Sequence, residues 1–120
     1  MKFFCDTYAM VEIIKGNRSY QPYLEQELHT NILNLYELFY ILLKGYDEIT
    51  AKEYFYEFAS FILPIEDHYL FAAASFKLKF QKKNISYADA LGYAMAENKN
   101  MRFLTGDKEF KDMDNVEFVK

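Results

Sequence analysis

The sequence predicts an α/β domain in three layers, with a central, mostly parallel sheet flanked by helices on both faces. Three observations predict it. Short apolar runs alternate with stretches whose apolar residues recur at helical spacing. Such alternation implies parallel strands joined by helical crossovers and covered on both sides. The chain has 120 residues with no repeat, low-complexity tract or linker, which suits a single domain spanning 1–120. Finally, 52% of its residues are hydrophobic, enough for a core without disulfides or a structural metal.

Each element follows in order. Met1 to Cys5 reads as a short buried strand ending at Asp6. Ala9, Met10, Ile13 and Ile14 give a helix over Thr7 to Lys15, stopped by Gly16-Asn17. After a loop at Ser19-Tyr20-Gln21, Pro22 can open a second short helix through Glu27. Leu28 to Leu33 has strand character, and an apolar helix runs from about Asn34 to Lys44, ended by Gly45. Ile49-Thr50 starts another helix reaching about Phe61. Ile62 to Ile65, carrying Pro64, suits a short strand or edge. Asp67 is expected to cap a helix of Leu70, Phe71, Ala73, Ala74, Phe76 and Leu78. Tyr87 to about Asn98 forms the next helix, Met101 to Leu104 a strand with an exit turn at Thr105-Gly106-Asp107, and Val116 to Val119 the last strand.

Composition excludes several classes. Aromatic residues are 19% of the chain, too apolar a composition for disorder and enough to leave some rings for a partner. Cys5 is the lone cysteine, which rules out an internal disulfide and a cysteine-rich zinc site; within an apolar run it reads as a buried, inert thiol. No apolar stretch is long enough for a membrane span. The first residues also lack the layout of a secretory leader, so a cytoplasmic protein with no membrane association is expected. The net charge of −4 does not advertise nucleic-acid binding, although four carboxylates in one metal site alone would supply it.

Four acids stand apart from the rest: Asp6, Glu37, Asp89 and Asp107. Each lies against a long apolar run, where an ionised carboxylate is costly unless compensated. Asp6 and Asp107 follow predicted strands, at the sheet edge where open α/β folds bind ligands. Each has an ordinary alternative. Asp6 can be a plain helix cap, Asp107 competes with Thr105 for a cap, and Ser86-x-x-Asp89 has the form of a capping box. Glu37 differs, since it is the one formally charged residue between Glu27 and Lys44. Its alternative is a thin solvent-facing stripe of Asn34, Glu37 and Lys44. Taken together, two carboxylates ~4 Å apart repel by about 4 kcal/mol at an effective dielectric of 20, so several pairs need protons or a cation. An oxygen-only cluster suits Mg²⁺ or Mn²⁺, and such a site requires no histidine base or nucleophilic serine.

With these residues in place, the chain resembles a PIN domain, and most closely the VapC-like toxin ribonucleases. The resemblance runs nearly end to end. It starts with the strand into Asp6-Thr7 and the helix carrying Glu37-Leu38. It continues with Asp89-Ala90-Leu91, leading a small-residue helix through Ala94 and Ala96. It closes with Phe103-Leu104-Thr105-Gly106-Asp107 and Phe110. It implies a Mg²⁺- or Mn²⁺-dependent endoribonuclease acting on RNA. Asp6, Glu37, Asp89 and Asp107 would be metal ligands or their close support, Thr105 a hydroxyl orienting a carboxylate or water, and Thr7 a weaker candidate of that kind. It also implies a homodimer and a small antitoxin protein packing over the site. One departure is the scarcity of arginine: with only Arg18 and Arg102, substrate grip falls to lysines such as Lys15 and Lys44.

Other residues attract less weight. His29 and His68 lack zinc spacing, and His68 reads as a surface residue. Asp107, Glu109, Asp112 and Asp114 lack the calcium-loop pattern, and the last two read as a solvated loop. The run Tyr54-Phe55-Tyr56-Glu57-Phe58 fits either core packing on two sides or a dimer or antitoxin surface. Competing functions are a catalytically silent PIN-like module that binds protein or RNA, a receiver-like signalling domain, and a purely structural domain. A receiver would want an acidic pair at the first strand and a lysine after the last, and neither is evident.

Overall fold

A computed structural model describes residues 1–120. Four strands form one sheet: β1 (Lys2–Cys5), β2 (Glu27–His29), β3 (Arg102–Thr105) and β4 (Val116–Phe118). Their order is β2-β1-β3-β4, and every pairing is parallel. The expected mostly parallel sheet is therefore wholly parallel. Register places Phe4 beside Phe103 and Cys5 beside Leu104, so β1 ends one residue before β3, which runs on to Thr105. From β1 the chain crosses outward to β2, and from β3 outward to β4 in the other direction. The crevice at that reversal lies between the carboxyl ends of β1 and β3.

Five α-helices cover the sheet: α1 (Thr7–Ile14), α2 (Ile32–Gly45), α3 (Glu48–Ala59), α4 (Asp67–Lys79) and α5 (Tyr87–Asn98). The two-residue period of the strands decides which layer each side chain joins. Phe3, Cys5, Leu28 and Leu104 pack with Met10, Leu35, Leu38, Leu42, Ala51 and Phe58 on the side of α1, α2 and α3. Phe4, Phe103 and Val116 pack with Tyr69, Ala73, Leu91, Tyr93 and Met95 on the side of α4 and α5. This is the three-layer α/β/α arrangement that alternation predicts. At its centre, Gly92 of α5 lets the helix lie directly on the sheet. A Cβ there would sit 2.6 Å from the Phe4 ring and 3.2 Å from that of Phe103.

Four sequence expectations need correction. The strand expected over Leu28 to Leu33 ends at His29, because Asn31 caps α2 by accepting from the Asn34 amide at 2.8 Å. Ile32 and Leu33 are thus helical, the helix starts before the expected Asn34, and Glu37 falls in its second turn. The strand expected at Ile62 to Ile65 is a single bridge between Thr30 and Ile62. Pro64 has no N–H with which to extend it. Asp67 does not cap α4: it is the first helical residue, and Glu66 stands at the cap position without a side-chain hydrogen bond. Pro22 lies inside a 3₁₀ run, Arg18–Glu25, rather than opening a helix.

Candidate active site

The six buried polar residues are Asp6, Thr7, Thr30, Asn31, Asn34 and Thr105. They follow or end β1, β2 and β3, or open α2, so the polar interior gathers at the carboxyl edge of the sheet. Above it opens a cavity of about 690 Å³. Asp6, Glu37, Asp89 and Asp107 all line it, so the fold brings together the four acids that the sequence singled out.

Asp6 forms the base. It is only 2% exposed, and both carboxylate oxygens are engaged. Oδ1 accepts from the Ala9 amide at 2.8 Å, capping α1, and Oδ2 accepts from the Thr105 hydroxyl. Thr105 also accepts from the Asp107 amide at 3.0 Å, so one hydroxyl ties the end of β1 to the exit turn of β3. Asp107 in turn accepts from the Glu109 amide at 3.0 Å. The turn needs Gly106, because a Cβ there would lie 2.1 Å from the Tyr8 ring and 2.5 Å from the Val119 carbonyl.

Glu37 reaches the site through Thr7, whose hydroxyl donates to its carboxylate at 2.8 Å. The Thr7 amide donates to Asn34 Oδ1 at 3.1 Å, and Asn34 Nδ2 donates to Asn31 Oδ1 at 3.0 Å. Asn34 is fully buried, so the alternative of a solvent-facing stripe with Glu37 and Lys44 does not hold. Asp89 keeps both of its readings. It completes a capping box with Ser86, accepting from the Ser86 amide at 3.2 Å while Ser86 Oγ accepts from the Asp89 amide at 3.1 Å, and it still lines the cavity.

Electrostatics link the acids. Burial pushes the Asp6 carboxyl up to about 8, against the lowering effect of the Thr105 and Ala9 hydrogen bonds; nearby Asp89 and Asp107 push it further up. Burial also raises Asp89, opposed by Ser86 and reinforced by Asp107 and Glu37. No lysine or arginine lines the cavity, so nothing within the lining offsets this charge. The donor set is carboxylate oxygen alone, which suits a hard divalent cation. The acids ring the cavity without converging. No group of three or more His, Cys, Asp or Glu side chains is close enough to clasp an ion. Mg²⁺ commonly keeps several waters and takes only one or two carboxylates, and the residues fit that manner of binding.

Several participants escaped sequence reading. Asn31 and Asn34 are the clearest. Their spacing with Glu37, three residues apart in an otherwise apolar run, is the signal that would have found them. Glu109 accepts from the Asn84 amide at 3.0 Å and so holds the loop that forms one wall of the cleft. The lysines expected to grip substrate are not in the lining: Lys15 Nζ lies 3.8 Å from Glu12, and Lys44 Nζ sits 5.3 Å from the Tyr40 ring centre. In the aromatic run of α3, Phe58 is buried and Tyr54 and Phe55 are half-buried, while Tyr56 faces solvent. His68 is exposed and Cys5 buried, as expected.

Comparison with known proteins gives two findings. A family model described as PIN domain matches residues 3–116. Among solved structures, VapBC2 from Rickettsia felis, bound to a DNA fragment from its promoter, superposes with a TM-score of 0.77 at 22% identity, covering 99% of this chain and 98% of that one. VapBC-1 from nontypeable Haemophilus influenzae gives 0.76 at 15% identity, covering 100% and 98%. A sarcin-ricin-loop-cleaving VapC toxin from Mycobacterium tuberculosis gives 0.72 at 12%, covering 91% of each chain. At these identities the likeness is one of fold. No curated protein sequence matches this chain.

Proposed function

Since the chain belongs to the PIN domain family, we propose that it is a divalent-metal-dependent endoribonuclease and the toxin of a toxin–antitoxin pair. The observation that carries this reading is the set of four carboxylates on one cleft at the strand-order reversal, with no cationic side chain in the lining. Asp6, Glu37, Asp89 and Asp107 would hold Mg²⁺ or Mn²⁺, directly or through water. The bound ion supplies a Lewis acid for the phosphate and lowers the pKa of the attacking water.

The chain's own residues do the positioning. Thr105 holds Asp6 in one rotamer and fixes its distance from Asp107, and Thr7 does the same for Glu37. Such supporting bonds keep the acidic groups in fixed orientations on the cleft before substrate arrives. Burial, with Asp89 and Asp107 adding to it, favours the protonated form of Asp6, and a bound divalent cation would favour its ionised form. A partner protein, either an antitoxin or a second copy of the chain, is consistent with the large apolar side chains left exposed on the outer helices, Tyr56 and Phe71 among them. No helix is long and apolar enough to cross a membrane, and we place the protein in the cytoplasm.

A second reading, a catalytically silent PIN-like module, draws on one observation: the acids do not close on a single point. Cleavage of single-stranded RNA with Mg²⁺ or Mn²⁺, compared with Asp6→Asn and Asp89→Asn, separates the two. Loss of cleavage in both variants with the fold retained supports the nuclease. Equal cleavage by all three proteins overturns the site assignment, and tight partner binding with no cleavage favours the silent module.

A further inference from the structure

The cleft has a wall that the metal chemistry does not use. Tyr36 and Tyr40 stand one turn apart on α2 and both line the cavity beside Glu37. The two residues are 70% and 59% exposed, whereas Leu35, Leu38 and Leu42 of the same helix are buried against the sheet. Two large rings held in water, next to a site where a phosphate would react, call for an occupant. We propose that Tyr36 and Tyr40 form a stacking platform for unpaired bases of a single-stranded RNA flanking the phosphate held at the carboxylates. This rests on the nuclease reading and names the substrate feature that the site selects.

What the cleft offers a nucleic acid is aromatic surface in place of cations. Nucleic-acid affinity ordinarily comes from lysine and arginine on phosphates. Here the lining holds none, and Arg102 is committed elsewhere, with Nε 3.1 Å from Glu117 and Nη2 donating to the Val116 carbonyl. Grip must then come from uncharged contacts, and base–aromatic stacking is the strongest of these, tolerant of sequence and unavailable to a base inside a duplex. Tyr36, Tyr40 and Glu37 line the same cavity, so a strand whose phosphate lies at the carboxylates has both rings within the same cleft.

The test is equilibrium binding of a short fluorescein-labelled single-stranded RNA in calcium buffer, with an abasic oligomer of the same length as control. Wild type and the Tyr36→Phe/Tyr40→Phe variant should bind the RNA alike. Each alanine substitution should weaken binding about tenfold, and affinity should fall only shallowly with salt. The abasic oligomer should bind all variants equally. Unchanged RNA affinity in Tyr36→Ala/Tyr40→Ala overturns the platform. So does a loss of self-association in that variant without loss of RNA binding, which would mark a protein interface, and so does a wild type that binds no RNA. Intact Mg²⁺-dependent cleavage with tyrosine-independent binding sinks the platform alone. Tyrosine-dependent binding without cleavage in Mg²⁺ or Mn²⁺ sinks the nuclease reading alone.

Discussion

Asp6 and Asp47 perform the same local task in different surroundings. Asp6 starts α1 by accepting the Ala9 amide at 2.8 Å, and Asp47 starts α3 by accepting the Thr50 amide at 2.7 Å. Asp47 is open to water, and the backbone hydrogen bond from Thr50 holds its carboxyl below the usual range. Asp6 makes an equivalent bond, yet burial lifts it to about 8, with Asp89 and Asp107 adding to the effect. A helix cap is therefore compatible with a site role. The distinguishing feature is the surroundings, which at Asp6 are the floor of a cavity lined by three other acids and no lysine or arginine.

The sharpest way to break this comparison is to neutralise each acid in turn. Asparagine caps helices as well as aspartate does, so Asp6→Asn and Asp47→Asn should both fold. Asp6→Asn should lower single-turnover RNA cleavage roughly 10³-fold, the equivalent of a few kcal/mol of transition-state stabilisation. Its metal-free form should be at least as resistant to urea as wild type, because no ionisable group then has to be buried. Asp47→Asn should cleave normally. Equal activity in the two variants would make Asp6 a cap and nothing more.

A smaller effect is expected at Thr105. Thr105→Val keeps the shape but removes the donor to Asp6 and the acceptor for the Asp107 amide. Activity should fall about 10- to 100-fold, with Thr105→Ser restoring most of it. A fall in affinity for the metal, read by the stabilisation that Mg²⁺ confers on thermal unfolding, separates positioning of the acids from simple loss of packing.

Glycines sharpen the contrast between the layer behind the site and the exposed end of α2. Gly92→Ala forces a methyl group against the Phe4 and Phe103 rings and should cost about 1–3 kcal/mol in urea unfolding. Gly45→Ala meets nothing within 4 Å and should be neutral or slightly stabilising. Since α5 also carries Asp89, the first variant should lose activity along with stability.

The fold was legible because its signals are local. Apolar runs such as Phe3-Phe4-Cys5 and Phe103-Leu104 can bury both faces only between helices, and α5 begins and ends at the residues its capping box and periodicity predict. The four acids were legible because each stands against apolar neighbours, and the fold gathers them on one cleft. Asn31 was not, because a polar residue between Leu28 and the apolar pair Ile32-Leu33 reads equally as part of a strand or as a helix start. Only its hydrogen bonds to Asn34 decide between the two. Asp67 misled because the first residue of a helix and its cap look alike in sequence, and Glu66 takes the cap position. The Ile62 strand stops at a single bridge to Thr30, because Pro64 lacks the N–H that would extend it and the apolar pattern does not count hydrogen-bond donors.

The finest separation between the two capping acids lies in how stability follows pH in the metal-free protein. Asp47 is held below its ordinary value of 3.8 in the folded state, so it binds a proton more readily when unfolded. Its stabilisation is fully present above the unfolded value and drains away as pH falls through the lower, folded one. Asp6 has the opposite sign. Folded, it keeps its proton up to about pH 8, whereas unfolded it releases it near 3.8. Between those values the folded state binds more protons, so this acid makes stability decline as pH rises, by no more than about 1.4 kcal/mol per pH unit for a single proton. Urea unfolding across the acid-to-neutral range should therefore show Asp6→Asn flattening the decline between about pH 4 and 8. Asp47→Asn should differ from wild type at neutral pH by a small, constant amount that shrinks only in acid. A difference at Asp47 that persists undiminished well below its folded value would mean that α3 is capped by geometry rather than by charge. The contrast with Asp6 would then narrow to burial alone.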